Sequence, residues 1–260
     1  LLAGGCATTT PVGVDRLGVR QAYVQINRSA LNSRGPGSQT LAVLHRYALD
    51  DLADDDPLQC LRRLHAAALR DERRDTLLAL AEICFHCGKR GLKFEEEGRE
   101  LGRFNLYLAA AAYAYLYLLE PDKKPAPSSF DREFRLACDL YNRSVALAFI
   151  ESKRLVRFDR EHIPLPVGSL SLAPGVSDLP VTAAPYQVFT PADEFHVRGL
   201  SVRNRSGGLG APLVASGKRH LDYPVGNASP ATLFLRVEGG LREMDSGSCK
   251  GWVEVFSPLV

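Results

Sequence analysis

Residues 103–121 read RFNLYLAAAAYAYLYLLEP, and the way this stretch is accommodated decides the fold. From Phe104 to Leu119 it is apolar all round. A helix of that kind belongs either between neighbouring helices or inside a membrane. A spanning helix needs about 20 consecutive apolar residues, and this run falls short of that. It is also closed by Arg103 in front and by Glu120-Pro121 behind. The stretch therefore reads as the central helix of a bundle, and its neighbours should carry broad apolar stripes facing it.

The flanking sequence supplies those neighbours. Asp56-Pro57 marks a helix start, with Asp accepting from the free N–H groups of the first turn and Pro fitting the first helical position. Leu58, Leu61, Leu64, His65 and Ala68 follow at helical spacing. Ser128 and Asp131 make a capping-box pattern ahead of Phe134, Ala137, Cys138, Tyr141, Val145, Ala148 and Phe149, a wide apolar stripe. Residues 75–90, DTLLALAEICFHCGKR, resemble the first helix of a tetratricopeptide repeat, and residues 109–121 resemble a second. The segment from Gly91 to Gly102 is longer than such a repeat turn, and no clean repeat period exists. An irregular α-hairpin stack, tetratricopeptide-like in part, is expected.

After about residue 160 the texture changes. Ten of the sixteen prolines lie there, and short alternating runs replace the helical stripes. In ATLFLRVEGG (231–240), Leu233, Leu235 and Val237 alternate with Phe234, Arg236 and Glu238. GWVEVF (251–256) and DEFHVRGL (193–200) behave similarly, which predicts antiparallel strands. The expected fold is α+β. Residues 1–15 would form a leader remnant and tether, 16–156 a helical domain, and 157–260 a β-rich, mainly antiparallel domain.

A net charge of +2 over 260 residues, with 24% charged and 45% apolar, is ordinary for a globular chain. It lacks the basic, aromatic-interleaved patches of a nucleic-acid binder, so nucleic acid is not an expected partner. Six cysteines are present. With Cys6 set aside for lipid, Cys60, Cys84, Cys87, Cys138 and Cys249 remain, an odd number that cannot be fully paired. Buried, reduced thiols are expected.

Cys84-Phe85-His86-Cys87 has the spacing of a redox or metal motif. On a helix, however, Leu77, Leu80, Ala81, Cys84 and Cys87 share one sector about 120° wide. His86 points nearly opposite to Cys84, beside Glu82 on what reads as the polar face. Core packing is the expected role of the two thiols. His45 and His65 both fall on apolar stripes and are expected as hydrogen-bonded core histidines. Tyr107, Tyr113, Tyr115 and Tyr117 should fill the core with hydroxyls at its edge. Arg62-Arg63 and Arg73-Arg74 read as solvated helix faces, the alternative being contact with anionic headgroups. No Gly-x-Ser-x-Gly elbow, phosphate loop, His-Glu-x-x-His or dinucleotide glycine motif occurs. No catalytic, cofactor or metal residues are therefore assigned. Of the four Asn-x-Ser sequons, at Asn27, Asn142, Asn204 and Asn227, the second lies within an expected helix.

The opening LLAGGCATTT has the small-residue character of a cleaved secretion signal, although Ala3 occupies the place where a lipobox usually has leucine. Cys6 is the expected lipid-attachment residue, and the missing charged start, like the ending Pro258-Leu259-Val260 directly after a strand, is expected of a fragment. The segments CATTTPVGVDRL (6–17), LHRYALDDLADDDPLQCLRRLHAAALRDERRDTLLALAE (44–82), FDREFRLACDLYNRSVALAF (130–149), GLSVRNRSGGLGAPLVAS (199–216) and ATLFLRVEGG resemble the N-terminal region of bacterial lipoproteins of the α/β-hydrolase kind, esterases or lipases. In that family the hydrolase domain follows this region, so only Cys6 matches a functional position. The resemblance implies a membrane attachment through Cys6, an outer-membrane location because Ala7 is not Asp, and an α/β-hydrolase domain as partner in cis or trans. The expected function is an accessory region that positions or covers that domain, with an exposed apolar patch on the β half. The alternative is a stand-alone, lipid-anchored protein- or peptide-binding module, stacked hairpins being able to form peptide grooves.

Overall fold

The computed structural model describes residues 16–152, apart from 72, 97 and 121, and then 161–177, 188–195, 208–216 and 228–256. Its helical part runs α1 (Val19–Ile26), α2 (Ser38–Arg46), α3 (Asp50–Asp55), α4 (Pro57–Arg70) and α5 (Asp75–Arg90). A two-stranded hairpin, β1 (Phe94–Glu96) with β2 (Arg99–Leu101), then leads into α6 (Arg103–Leu119) and α7 (Arg132–Ser152). This hairpin occupies the segment too long for a tetratricopeptide turn, and it explains why no repeat period is legible there.

Helix α6 is the central element. From Leu106 to Leu118 every residue except Tyr115 is buried, and the helix packs against both α5 and α7. The run Ala109–Ala112 keeps its girth small, and Gly88 on α5 lets the two backbones close up. A Cβ at Gly88 would stand 2.8 Å from the Tyr107 ring. At the start of α4 the Asp56 carboxylate accepts from the Gln59 N–H at 3.0 Å, with Pro57 in the first turn. The Ser128/Asp131 pair closes the turn just ahead of α7, where Asp131 accepts from the Ser128 N–H at 3.2 Å.

The strands form one six-stranded sheet in the order β3 (Glu161–Pro164), β4 (Ser169–Ser177), β8 (Lys250–Phe256), β7 (Ala228–Glu238), β6 (Ala211–Ser216) and β5 (Val188–Pro191). All neighbours are antiparallel except β4 and β8, which run parallel. The sheet is thus mainly antiparallel, and the chain is α+β. The run from Asp193 departs from its expected strand: Ala192–Glu194 form a 3-10 turn, and residues 196–200 lie outside the described residues. On β7, Leu233, Leu235 and Val237 are buried while Arg236 and Glu238 are exposed. Between β7 and β8 lies the short α8 (Leu241–Asp245).

Helix α7 docks the sheet at a defined place. Strand β6 stops at Ala211, opposite Leu233, which leaves the N–H and C=O of Leu235 without a strand partner. The Tyr141 hydroxyl takes both, donating to the carbonyl at 2.6 Å and accepting from the N–H at 2.8 Å. Its ring meets Phe234 at 5.8 Å between centroids. Next to it, Asn142 donates to the Gly208 carbonyl at 2.8 Å and accepts from the Gly210 N–H at 2.7 Å. Buried side chains of helices and sheet belong to one continuous apolar cluster.

Candidate docking face and the buried polar clusters

The described cysteines, Cys60, Cys84, Cys87, Cys138 and Cys249, are all buried free thiols. Burial pushes Cys60 up to about 11 and Cys87 and Cys249 up to about 12, and raises Cys84 and Cys138 as well. Such thiols are poor nucleophiles and poor ligands, because the reactive species is the thiolate. Among the described residues no group of three or more His, Cys, Asp or Glu side chains is placed to hold a metal ion. Cys84 and Cys87 pack in the core, and His86 is half-buried on another face of α5, with Nδ1 making no hydrogen bond. Cys6, Asn204 and Asn227 lie outside the described residues.

The face of α5 that carries Glu82 is not polar surface. Residues 29–40 fold over it, and Glu82 is fully buried. Its carboxylate accepts from the Ala30 N–H at 2.7 Å, the Gly37 N–H at 3.0 Å and the Thr40 hydroxyl at 2.5 Å. An acidic side chain on a helix reads as solvated unless a loop brings donors to it, and here a loop does.

The two histidines separate. His45 is exposed at the end of α2, 3.4 Å from Asp50, contrary to its expected core position; one apolar-looking stripe was wider than the face α2 buries. His65 is 1% exposed, with Nδ1 2.7 Å from the Tyr113 hydroxyl. Its Nε2 lies 3.5 Å from Asp245 on α8 and makes no hydrogen bond. Desolvation lowers this imidazole to about 4, so it is neutral at neutral pH. Tyr107, Tyr113 and Tyr117 fill the core as expected, but the Tyr113 hydroxyl lies inside it on His65 and not at its edge; Tyr115 is half-buried beside Phe234.

The arginine pairs also split. Arg62 is exposed and pairs with Glu96 at 2.8 Å, and Arg73 pairs with Asp75 at 3.1 Å. Arg74 is 5% exposed and is no solvated face. Its guanidinium donates to the carbonyls of Leu116, Tyr117, Glu120, Lys123 and Pro125. The last turn of a helix leaves carbonyls without partners, and this cation closes the C-terminus of α6. Nearby, the Lys123 ammonium donates to the carbonyls of Ala68 and Asp71, tying the end of α4 to the same loop.

Against this economy of internal contacts, α1 stands out. It buries none of its residues. Val19 is 89% exposed, Tyr23 68% and Ile26 57%; at this spacing they form one apolar row. Tyr23 of this row lines a groove of about 710 Å³ between α1 and α7, whose apolar lining includes Leu31, Phe85 and Leu136. Arg132, Arg135 and Arg143 line the groove together with Asp139 and Asp193. On the described part of the β half, the exposed large apolar side chains are Phe195 and Phe256; more of them lie on α1. The VRQAYVQI pattern carried this signal in the sequence.

A second cavity, of about 600 Å³, opens where the end of α6 meets the β7–α8 turn, lined by Tyr115, Leu119, Glu120, Asp122, Glu238 and Glu243 among others. In the sequence Glu120 reads only as part of a helix stop. Comparison with protein-family models, curated proteins and solved structures found no match.

Proposed function

We propose that this chain is the non-catalytic N-terminal accessory region of a bacterial envelope lipoprotein related to α/β-hydrolase esterases and lipases. Lipid on Cys6 holds it at the outer membrane, and it positions or covers a hydrolase domain. The observation that supports this reading is the exposed row Val19, Tyr23 and Ile26 beside the arginine-lined groove. An apolar row of this kind, rimmed by charge, marks a contact surface. Burying each such side chain is worth on the order of 1.5 to 3 kcal/mol, which offsets part of the cost of association. Arg132 and Arg135 would meet acidic groups at the edge of that domain.

The test is sedimentation of this chain mixed with the hydrolase domain, before and after Tyr23→Ser with Ile26→Ser. The expected result is a 1:1 complex weakened tenfold or more by the double substitution, with the urea midpoint of the chain unchanged. Cells fed labelled palmitate should label the wild-type chain and not Cys6→Ala. A complex that ignores the double substitution removes α1 as the docking face. A stoichiometric partner that is not a hydrolase makes the chain a stand-alone lipid-anchored binding module.

A further inference from the structure

We infer that the cavity at the end of α6 is a binding site for an organic cation, an alkylammonium or guanidinium group, with Glu120 as its counter-charge. Glu120 is 7% exposed, so its carboxylate has been taken out of water. Its oxygen Oε2 is buried beside Gly240 with no hydrogen-bond partner among the described residues. A buried acceptor left without a donor costs on the order of 1 to 3 kcal/mol, and more when it is charged. The surroundings add to that cost. Burial, Asp122 and Glu243 raise Glu120 above the usual carboxylate range, with Lys123 opposing them.

Two nearby cations are committed elsewhere: Lys123 gives its ammonium to the carbonyls of Ala68 and Asp71, and Arg74 gives its guanidinium to the carbonyls at the end of α6. Lys250 lines the cavity from β8, and Lys124 and Arg242 lie on the far side of Glu120. Glu243 is spent on the Gly240 N–H at 2.8 Å, and Glu238 on the Trp252 indole at 3.2 Å. Glu120 and Asp122 are left to meet an incoming cation. Leu119, 52% exposed, and the Tyr115 ring line the same cavity and suit the aliphatic stem behind an ammonium. A cation seated there supplies the donor that Oε2 lacks and offsets the repulsion among the carboxylates. This site is independent of the α1 face and of the reading built on it.

The test is calorimetric titration of the full chain at low salt with spermidine and, separately, with n-butylamine. The expected result is saturable binding at one site, weakened tenfold or more by Glu120→Gln. Gly240→Ala should weaken it as well while keeping every carboxylate, because the new Cβ would stand 2.7 Å from Oε2 and push the group aside. Glu133→Gln, on α7, should change nothing. Spermidine binding at least tenfold tighter than butylamine identifies a free polyamine as the ligand. Equal affinities identify a single ammonium, such as a partner's lysine side chain. Binding of neither probe, or binding that survives Glu120→Gln unchanged, overturns the proposal.

Discussion

His65 couples the stability of the molecule to pH. The imidazole titrates at about 4 in the folded chain against an ordinary 6.5, so between those values the unfolded state binds more protons than the folded one. Stability is then fully present above about pH 6.5 and is lost as the pH falls towards 4, by roughly 3 kcal/mol in all. Urea midpoints measured from pH 7 to 4 should fall over that window, and His65→Gln should flatten the fall. Arg74 makes a second residue-scale prediction. One planar cation serves five carbonyls, a geometry an ammonium cannot copy. Arg74→Lys should therefore cost about 3 kcal/mol in urea unfolding despite keeping the charge. Neither role was legible in the sequence. His65 and His45 look alike there, as do Arg74 and Arg73, and what separates each pair is which loop or helix lies over it.

At the scale of elements, the bundle was legible and its attachment to the sheet was not. The all-apolar run from Phe104 to Leu119 dictates a central helix, and Asp56-Pro57 sets the start of α4 within a residue. The β1–β2 hairpin that joins α5 to α6 breaks the repeat period without announcing itself, because three-residue strands carry little alternation. The joint between α7 and the sheet depends on where β6 happens to stop. Tyr141→Phe removes only a hydroxyl, yet it leaves both polar groups of Leu235 unpaired. The expected cost is about 2 kcal/mol, read from the urea midpoint, with amide exchange at Leu235 accelerated more than at Leu233.

At the scale of the whole molecule, one apolar cluster reaches from α2 to β8, and it contains all five described cysteines. A thiol-specific reagent at pH 8 should therefore modify none of the five in the folded chain and all of them in denaturant. Modification of Cys84 or Cys87 at a native rate would show that the core opens there without global unfolding. Two open cavities border this cluster, at α1–α7 and at the end of α6. Inside the core, Glu82, Arg74 and Tyr141 spend their polar groups largely on backbone, whereas the α1 row and the Glu120 Oε2 are among the described groups left unspent.

The sequence by itself determined the α+β class, the central helix, the buried thiols and the alternation of β7, because each follows from the period at which apolar residues recur along one segment. Only the tertiary structure decided that Glu82 and Arg74 are interior, that His45 is exposed, that Tyr141 closes a strand edge and that Glu120 keeps one oxygen unpaired. A charged or polar side chain has no period of its own. Its environment is set by chain segments tens of residues away, and those are brought to it only when the whole molecule folds.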